Sequence, residues 1–318
     1  MRVVFAGTPE FAVPTLEALV RSTHEVVLVV TQPDRPAGRG RRLAPSAVKT
    51  AARETGLPVF QCPDVNTPAV VSFLQNVAPD VMVVQAFGQK LSPALLATPR
   101  LGCVNVHASL LPAYRGAAPI NRAILNGEET TGVTVIRMGE RIDAGEVLAR
   151  KSVPIAPDWT AGDLADVLAR MGAEVCLDVL AQLEAGTVTA TPQDASKVSR
   201  APGLAKRDGL VPWEKSSREV HNHVRGMTPW PGAFTFLAAG RGGKAVRLTV
   251  LGCAVGEETG ACGEPGTVLA ADAGLTVACG EGSVRIRTVK PSGGRAMPAD
   301  AFARGHAVGA GTRFTNHE

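Results

Sequence analysis

Five short apolar runs, VVFAG, EVVLVVTQ, VMVVQAF, GCVNVHAS and GVTVIRM, recur along the chain before Gly139. Strands buried on both faces read as such continuous runs. Between them lie helix-patterned segments: Pro9 to Arg21 with Thr8 as N-cap, SAVKTAARETG with a Gly stop, TPAVVSFLQN, and Ala117 to Asn126 ahead of Gly127. Alternating strands and helices pack best as a mainly parallel sheet with helices on both faces. The expectation is a doubly wound, Rossmann-like α/β domain. PVFQC adds a short strand, VLARKSVPI an edge strand, and GDLADVLARMGAEVCLDVLAQLEAG a long amphipathic helix whose Met171 belongs to the core-facing stripe.

The fourth run is unusual for a buried strand. Side chains alternate faces, so Cys103, Asn105, His107 and Ser109 share one side and Val104, Val106 and Ala108 the other. Buried polar groups need partners or a ligand. SLLPAYRGAAP breaks the strand, and Asp143 follows GVTVIRM in a turn closed by Ala144 and Gly145, so an amide, an imidazole and a carboxylate are expected at one rim. An amide N–H and a protonated imidazole can donate to an oxygen that becomes negative when a carbonyl is attacked, and a carboxylate can hold the imidazole charged or relay a proton. That suits acyl transfer to an amine. A covalent nucleophile is not evident: Ser109 lacks an elbow context, and Cys103 lies two residues deeper than Asn105. Each residue alone also has a structural reading, as a satisfied His, a bracing Asn or a capping Asp.

Asp34 to Lys49 concentrates charge. Arg35, Arg39, Arg41, Arg42 and Lys49 face the single Asp34, a net +4 that equals the formal charge of the whole chain. Read as a loop, PDRPAGRGRRLAP is either solvated surface or a phosphate-binding element, and the density of charge favours the second. Without an interleaved aromatic, base stacking is not expected there.

Composition divides the chain into residues 1–188, a linker at 189–208 that is poor in large apolar residues, and residues 209–318. After a helix at Ser216 to Gly226, short strands between Gly-rich turns predict a C-terminal OB-like β-barrel domain. Trp213 and Trp230 are expected to staple this domain together, and AVGAGTRFTNHE to be a disordered tail. From Arg207 onward 13 Lys/Arg oppose 10 Asp/Glu, which favours a supporting role over a dominant RNA site.

No apolar run reaches membrane-spanning length, and Met1-Arg2 leads directly into a strand, so no membrane association and a cytoplasmic location are expected. Cys62, Cys103, Cys176, Cys253, Cys262 and Cys279 form no CxxC pair, and His221 and His223 are wrongly spaced for a helix-borne metal site, so free thiols and no metal are expected. Gly7-Thr8-Pro9 lacks the full dinucleotide glycine pattern, which weakens an oxidoreductase reading.

The segments NVHASLLPAYRGAAPI, VVFAGTPEFAVPTLEAL, TQPDRPAGRG and WPGAF together resemble the methionyl-tRNA formyltransferase family, over Arg2 to about Ser292. The resemblance implies a formyltransferase-type N-terminal domain, with 10-formyltetrahydrofolate as co-substrate and initiator methionyl-tRNA as partner; no obligate protein partner is evident. By motif match Asn105, His107 and Asp143 take the catalytic positions. Ser109, Leu110, Leu111 and Pro112 line the folate site, with Phe87 and Gly88 beside it, and Arg35, Arg39, Arg41, Arg42 and Lys49 face tRNA. Two positions depart from the pattern: Arg141 where the turn usually has Gly, and Phe87 in place of the usual Tyr. A formyltransferase acting on a small amine and a non-catalytic RNA-binding protein on the same scaffold are the alternatives.

Overall fold

A computed structural model describes residues 1–37, 40, 42–237 and 245–316. They form two units: Met1–Pro119, Thr130–Pro154 and Ala165–Pro202 in the first; Ile120–Glu129, Ile155–Leu164 and residues from Gly203 onward in the second.

In the first unit, the apolar runs become β1 (Arg2–Gly7), β2 (Glu25–Thr31), β5 (Val59–Gln61), β6 (Val81–Gln85) and β7 (Cys103–His107), followed by β8 (Thr130–Arg137) and β9 (Val147–Pro154). Among the described residues they make one seven-stranded sheet in the order β5-β2-β1-β6-β7-β8-β9. The first five pair in parallel through crossovers that contain α1 (Val13–Arg21), α2 (Ala47–Glu54), α3 (Pro68–Val77) and α4 (Pro93–Leu96). Val4, Leu28, Leu74, Met82 and Leu95 pack together in the core.

GVTVIRM departs from the parallel series. The chain from β7 spends its length on a loop and the short helix α5 (Pro119–Leu125) and returns at the end it left, so β8 runs antiparallel to β7, with His107 opposite Thr134 and Val104 opposite Arg137. A parallel return needs a helix that crosses the sheet. The long helix α6 (Ala161–Ala185) forms as expected, and Met171 is buried. An added Cβ at Gly172 would lie 2.9 Å from Val106 Cγ1, so α6 approaches the apolar side of β7 closely and leaves the opposite side to Asn105 and His107.

Two local expectations change. Thr8 does not cap the first helix: a short 3-10 turn, Glu10–Ala12, precedes α1, and the Thr8 hydroxyl donates to the Phe87 carbonyl at 3.0 Å. The basic segment is a two-stranded ribbon, β3 (Arg35–Ala37) against β4 (Arg42–Ala44), because its flanks pair as Arg35 with Ala44 and Ala37 with Arg42. Arg39 and Arg41 lie outside the described residues.

The second unit carries α7 (Ser217–Gly226), capped by reciprocal Ser216–Glu219 bonds, and an antiparallel OB-like sheet. Its strands are β10 (Ala233–Leu237), β11 (Val246–Val255), β12 (Val268–Ala270), β13 (Leu275–Ala278), β14 (Ser283–Pro291), β15 (Met297–Pro298) and β16 (Phe314–Thr315), with α8 (Ala299–His306) before the last. Trp213 is core: its Nε1 donates to Thr235 Oγ1 at 3.0 Å and its ring stacks on Phe314. Trp230 is 54% exposed, and its carbonyl accepts from Asn121 Nδ2 at 3.4 Å. The tail is ordered through Thr315, because Phe314 is buried and β16 pairs with β10. No helix among the described residues is long and apolar enough to cross a membrane.

Candidate active site

Asn105 and His107 alternate onto the same face of β7, as the strand period requires. Asp143 arrives differently from the expected rim. The turn after β8 leaves beside the first residue of β7, where Met138 N donates to the Cys103 carbonyl at 2.8 Å, and then folds back over that face. Asn105 Nδ2 donates to Asp143 Oδ1 at 3.3 Å, and His107 Nδ1 lies 3.6 Å from the same oxygen. Asp143 itself takes φ +51°, whereas Arg141 is absent from the positive-φ residues. The left-handed residue of this turn is therefore the acid, and the Arg141 departure needs no unusual backbone.

The imidazole is oriented from behind. His107 is 6% exposed and its Nε2–H donates to the Tyr114 carbonyl at 3.0 Å, which leaves Nδ1 as the nitrogen that faces Asp143. The other carboxylate oxygen accepts from Gly116 N at 2.9 Å. Gly116 has φ +126°, and a Cβ there would meet the Ala201 carbonyl at 2.6 Å, so both conformation and space call for glycine. Tyr114 and Gly116 therefore join the site through their backbones; the only hint in the sequence is the Gly/Pro-rich break itself.

Ser109 and Thr134 brace the start of the next segment. Ser109 Oγ donates to the Ala113 carbonyl at 2.6 Å, and Thr134 Oγ1 donates to Ser109 O at 2.7 Å while accepting from Leu111 N at 3.0 Å. The Ser109 hydroxyl is thus committed to the loop. Leu111 is buried, and Leu110 and Pro112 adjoin it. Burial pushes the Cys103 thiol up to about 12, so it is protonated at neutral pH and unsuited to attack.

Phe87 and Gly88 line a different part of the unit. With Thr8, Gln32, Arg35 and Ser46 they border a cleft of about 390 Å³ at the carboxyl ends of β1 and β6, where the strand order reverses. The Phe87 ring is 2% exposed and packs in the core, so that residue presents its carbonyl, which accepts from Thr8 Oγ1 and Gln32 Nε2.

The basic residues divide. Arg35 and Arg42 are exposed on the ribbon, with Arg35 Nη2 donating to Gln32 Oε1 at 3.1 Å. Lys49 is buried and bonds both Asp34 oxygens at 2.7 Å. Its charge is matched within the fold. Hydrogen bonds from Lys49 and Gln61 hold the Asp34 carboxyl below the usual carboxylate range.

The formyl transferase family profile matches residues 1–180, and that of the formyl transferase C-terminal domain matches residues 204–307. The methionyl-tRNA formyltransferase of Geobacter sulfurreducens is 46% identical over 315 residues, covering 99% of this chain and 96% of that one. The chain belongs to the methionyl-tRNA formyltransferase family. The Heliobacterium modesticaldum member is 47% identical over 317 residues, covering 99% of this chain and all of its own. Among solved structures, a sugar 3N-formyl transferase with dTDP and 5-N-formyl-THF shares the fold at 18% identity and a TM-score of 0.64, covering 90% of this chain and 96% of that one. HypX from Aquifex aeolicus with tetrahydrofolic acid does so at 20% identity and 0.62, covering 95% of this chain and 47% of the other.

Proposed function

We propose that Asn105, His107 and Asp143 are the groups through which this family member moves the formyl group of 10-formyltetrahydrofolate onto the amino group of methionine on initiator tRNA. One observation carries the assignment: an amide, an imidazole and a carboxylate converge within 3.6 Å on the side of β7 opposite α6, with the imidazole and the carboxylate each held by a further bond from the Tyr114–Gly116 loop.

In the reaction the neutral amine attacks the formyl carbon, a C–N bond forms, and the carbonyl oxygen takes up negative charge. The bond from N10 then breaks, its electron pair stays on N10, which is protonated, and the amine nitrogen loses one proton. Asn105 Nδ2 carries two hydrogens and spends one on Asp143, so the other is available to the developing oxyanion. His107 works at Nδ1, because Nε2 is engaged by the Tyr114 carbonyl. A protonated Nδ1 donates to the same oxyanion, and Asp143, 3.6 Å away, is placed to receive or return that proton.

Ser109 to Pro112, with Phe87 and Gly88, line the folate site in this reading. Ile142, 64% exposed beside Asp143, adds an uncovered apolar surface for a flat ring. Arg35 and Arg42 on the ribbon, together with Arg39 and Arg41 of the same basic segment, meet tRNA phosphates in this reading, while Lys49 anchors the ribbon base through Asp34. Residues 1–188 carry the chemistry, 209–318 help to hold tRNA, and 189–208 join them, in the cytoplasm where charged tRNA is made. Incubating the protein with Met-tRNA and 10-formyltetrahydrofolate and assaying formyl-Met after deacylation tests this; absence of product with initiator tRNA would sink it.

A further inference from the structure

The segment between α6 and Pro202 is bound to the catalytic unit at both ends. Thr191 and Val147 exchange backbone bonds of 2.8 and 2.9 Å. Farther along, Arg115 N donates to Ser199 O at 2.9 Å, Ala201 N to Arg115 O at 2.7 Å, and Ala118 N to Ala201 O at 3.1 Å. Ser199 Oγ accepts from Tyr114 N at 2.9 Å. The strap thus lies along the loop that supplies the Tyr114 carbonyl to His107 and the Gly116 amide to Asp143.

Gln193 sits between these anchors and uses its whole amide. Oε1 accepts from Arg115 Nη2 at 2.7 Å and Nε at 3.1 Å, and Nε2 donates to the carbonyls of Asp143 at 2.9 Å and Gly145 at 2.7 Å. Two acceptor lone pairs and two N–H groups are the full capacity of a primary amide. A flipped amide would set its NH2 against a guanidinium and its oxygen against two carbonyls. The carbonyls it holds belong to the turn in which Asp143 takes its left-handed φ of +51°, a conformation that a non-glycine residue keeps only when its surroundings enforce it.

We propose that Gln193 is a positioning residue for formyl transfer: acting through Asp143, it keeps the carboxylate in register with Asn105 and His107. The proposal rests on the reading of Asp143 as catalytic, so the experiment is a double-mutant cycle in the full chain with Gln193→Met, Asp143→Asn and the pair. Gln193→Met is expected to lower kcat by about 10- to 100-fold, as misplacement of a catalytic group by up to about 1 Å does, with the KM for the folate within about twofold. In the Asp143→Asn background the same change should alter kcat by less than about twofold. Gln193→Glu, which keeps the acceptor for Arg115 but turns a carboxylate toward two carbonyls, should be at least as costly as Met and covers the case in which Met does not fold. If Gln193→Met or Gln193→Glu keeps kcat while Asp143→Asn loses it, the positioning role is overturned and the catalytic reading stands. An equal loss in both backgrounds reduces the strap to scaffold. Full kcat in Asp143→Asn overturns both.

Discussion

His107 turns its Nε2–H to the Tyr114 carbonyl at 3.0 Å, and this one bond decides which nitrogen does chemistry. With Nε2 engaged, Nδ1 and the Asn105 amide are the donors left for an oxyanion. His107→Ala and Asn105→Ala should each cost about 2.7–4 kcal/mol of transition-state stabilisation, read as kcat, as loss of an oxyanion donor does. Folate affinity should change far less. Near-normal kcat in both variants would mean that the chemistry lies elsewhere.

The bond from Lys49 on α2 to Asp34 sets that cation apart from the exposed arginines of the basic segment. Replacing Arg35, Arg39 and Arg42 together by Ala should weaken tRNA binding and flatten its log–log salt dependence by about 0.7–0.9 per lost phosphate contact. Lys49→Met breaks a pair whose lysine is buried, so it should lower stability without a comparable change in salt slope. Binding measured across a salt series distinguishes them; equal slopes for the triple variant and the parent would leave the ribbon as mere surface.

Gly172 lets α6 approach Val106, on the strand that bears Asn105 and His107. Gly172→Val should destabilise the protein by about 1–3 kcal/mol through overpacking and lower kcat as β7 shifts. Urea denaturation with parallel kinetics checks this, and unchanged values for both would show that the helix can move away freely.

Trypsin offers a test of the domain division. The strap's backbone is bonded at Thr191, Ser199 and Ala201, whereas Lys206 and Arg207 are exposed beyond it. The first cut should therefore fall at Lys206 or Arg207 and leave a fragment that retains 10-formyltetrahydrofolate binding. First cleavage between Cys103 and Asp143 would contradict the map.

Burial holds the imidazoles of His221 and His223 below the ordinary histidine range. In the unfolded chain they titrate near about 6.5, so below that pH the unfolded state takes up protons that the folded state does not. Stability present above about pH 6.5 should be lost progressively as the pH falls from there toward the lower folded values. Urea midpoints at a series of pH values should show this, with a shallower dependence in His223→Asn; parallel curves for the two proteins would refute it.

Periodicity in the sequence was enough to place Asn105 and His107 on one face of a strand and Val104 and Val106 on the other, because side-chain alternation is a property of the extended backbone itself. The same local logic marked α6 and the helix start at Ser216. It also brought Asp143 into a turn, since Ala144-Gly145 closes one. What it could not supply was direction and docking. Whether β8 runs with or against β7 depends on where residues 108–129 pack, and that turned a shared rim into a turn folded back over the sheet. Lys49 counts as a free cation until Asp34, 15 residues away, is seen to match it. Gln193 lies in a stretch whose composition reads as linker, yet it bonds groups 48, 50 and 78 residues distant. Such bonds join single polar atoms across the chain and leave no periodic trace, so only tertiary structure decides them.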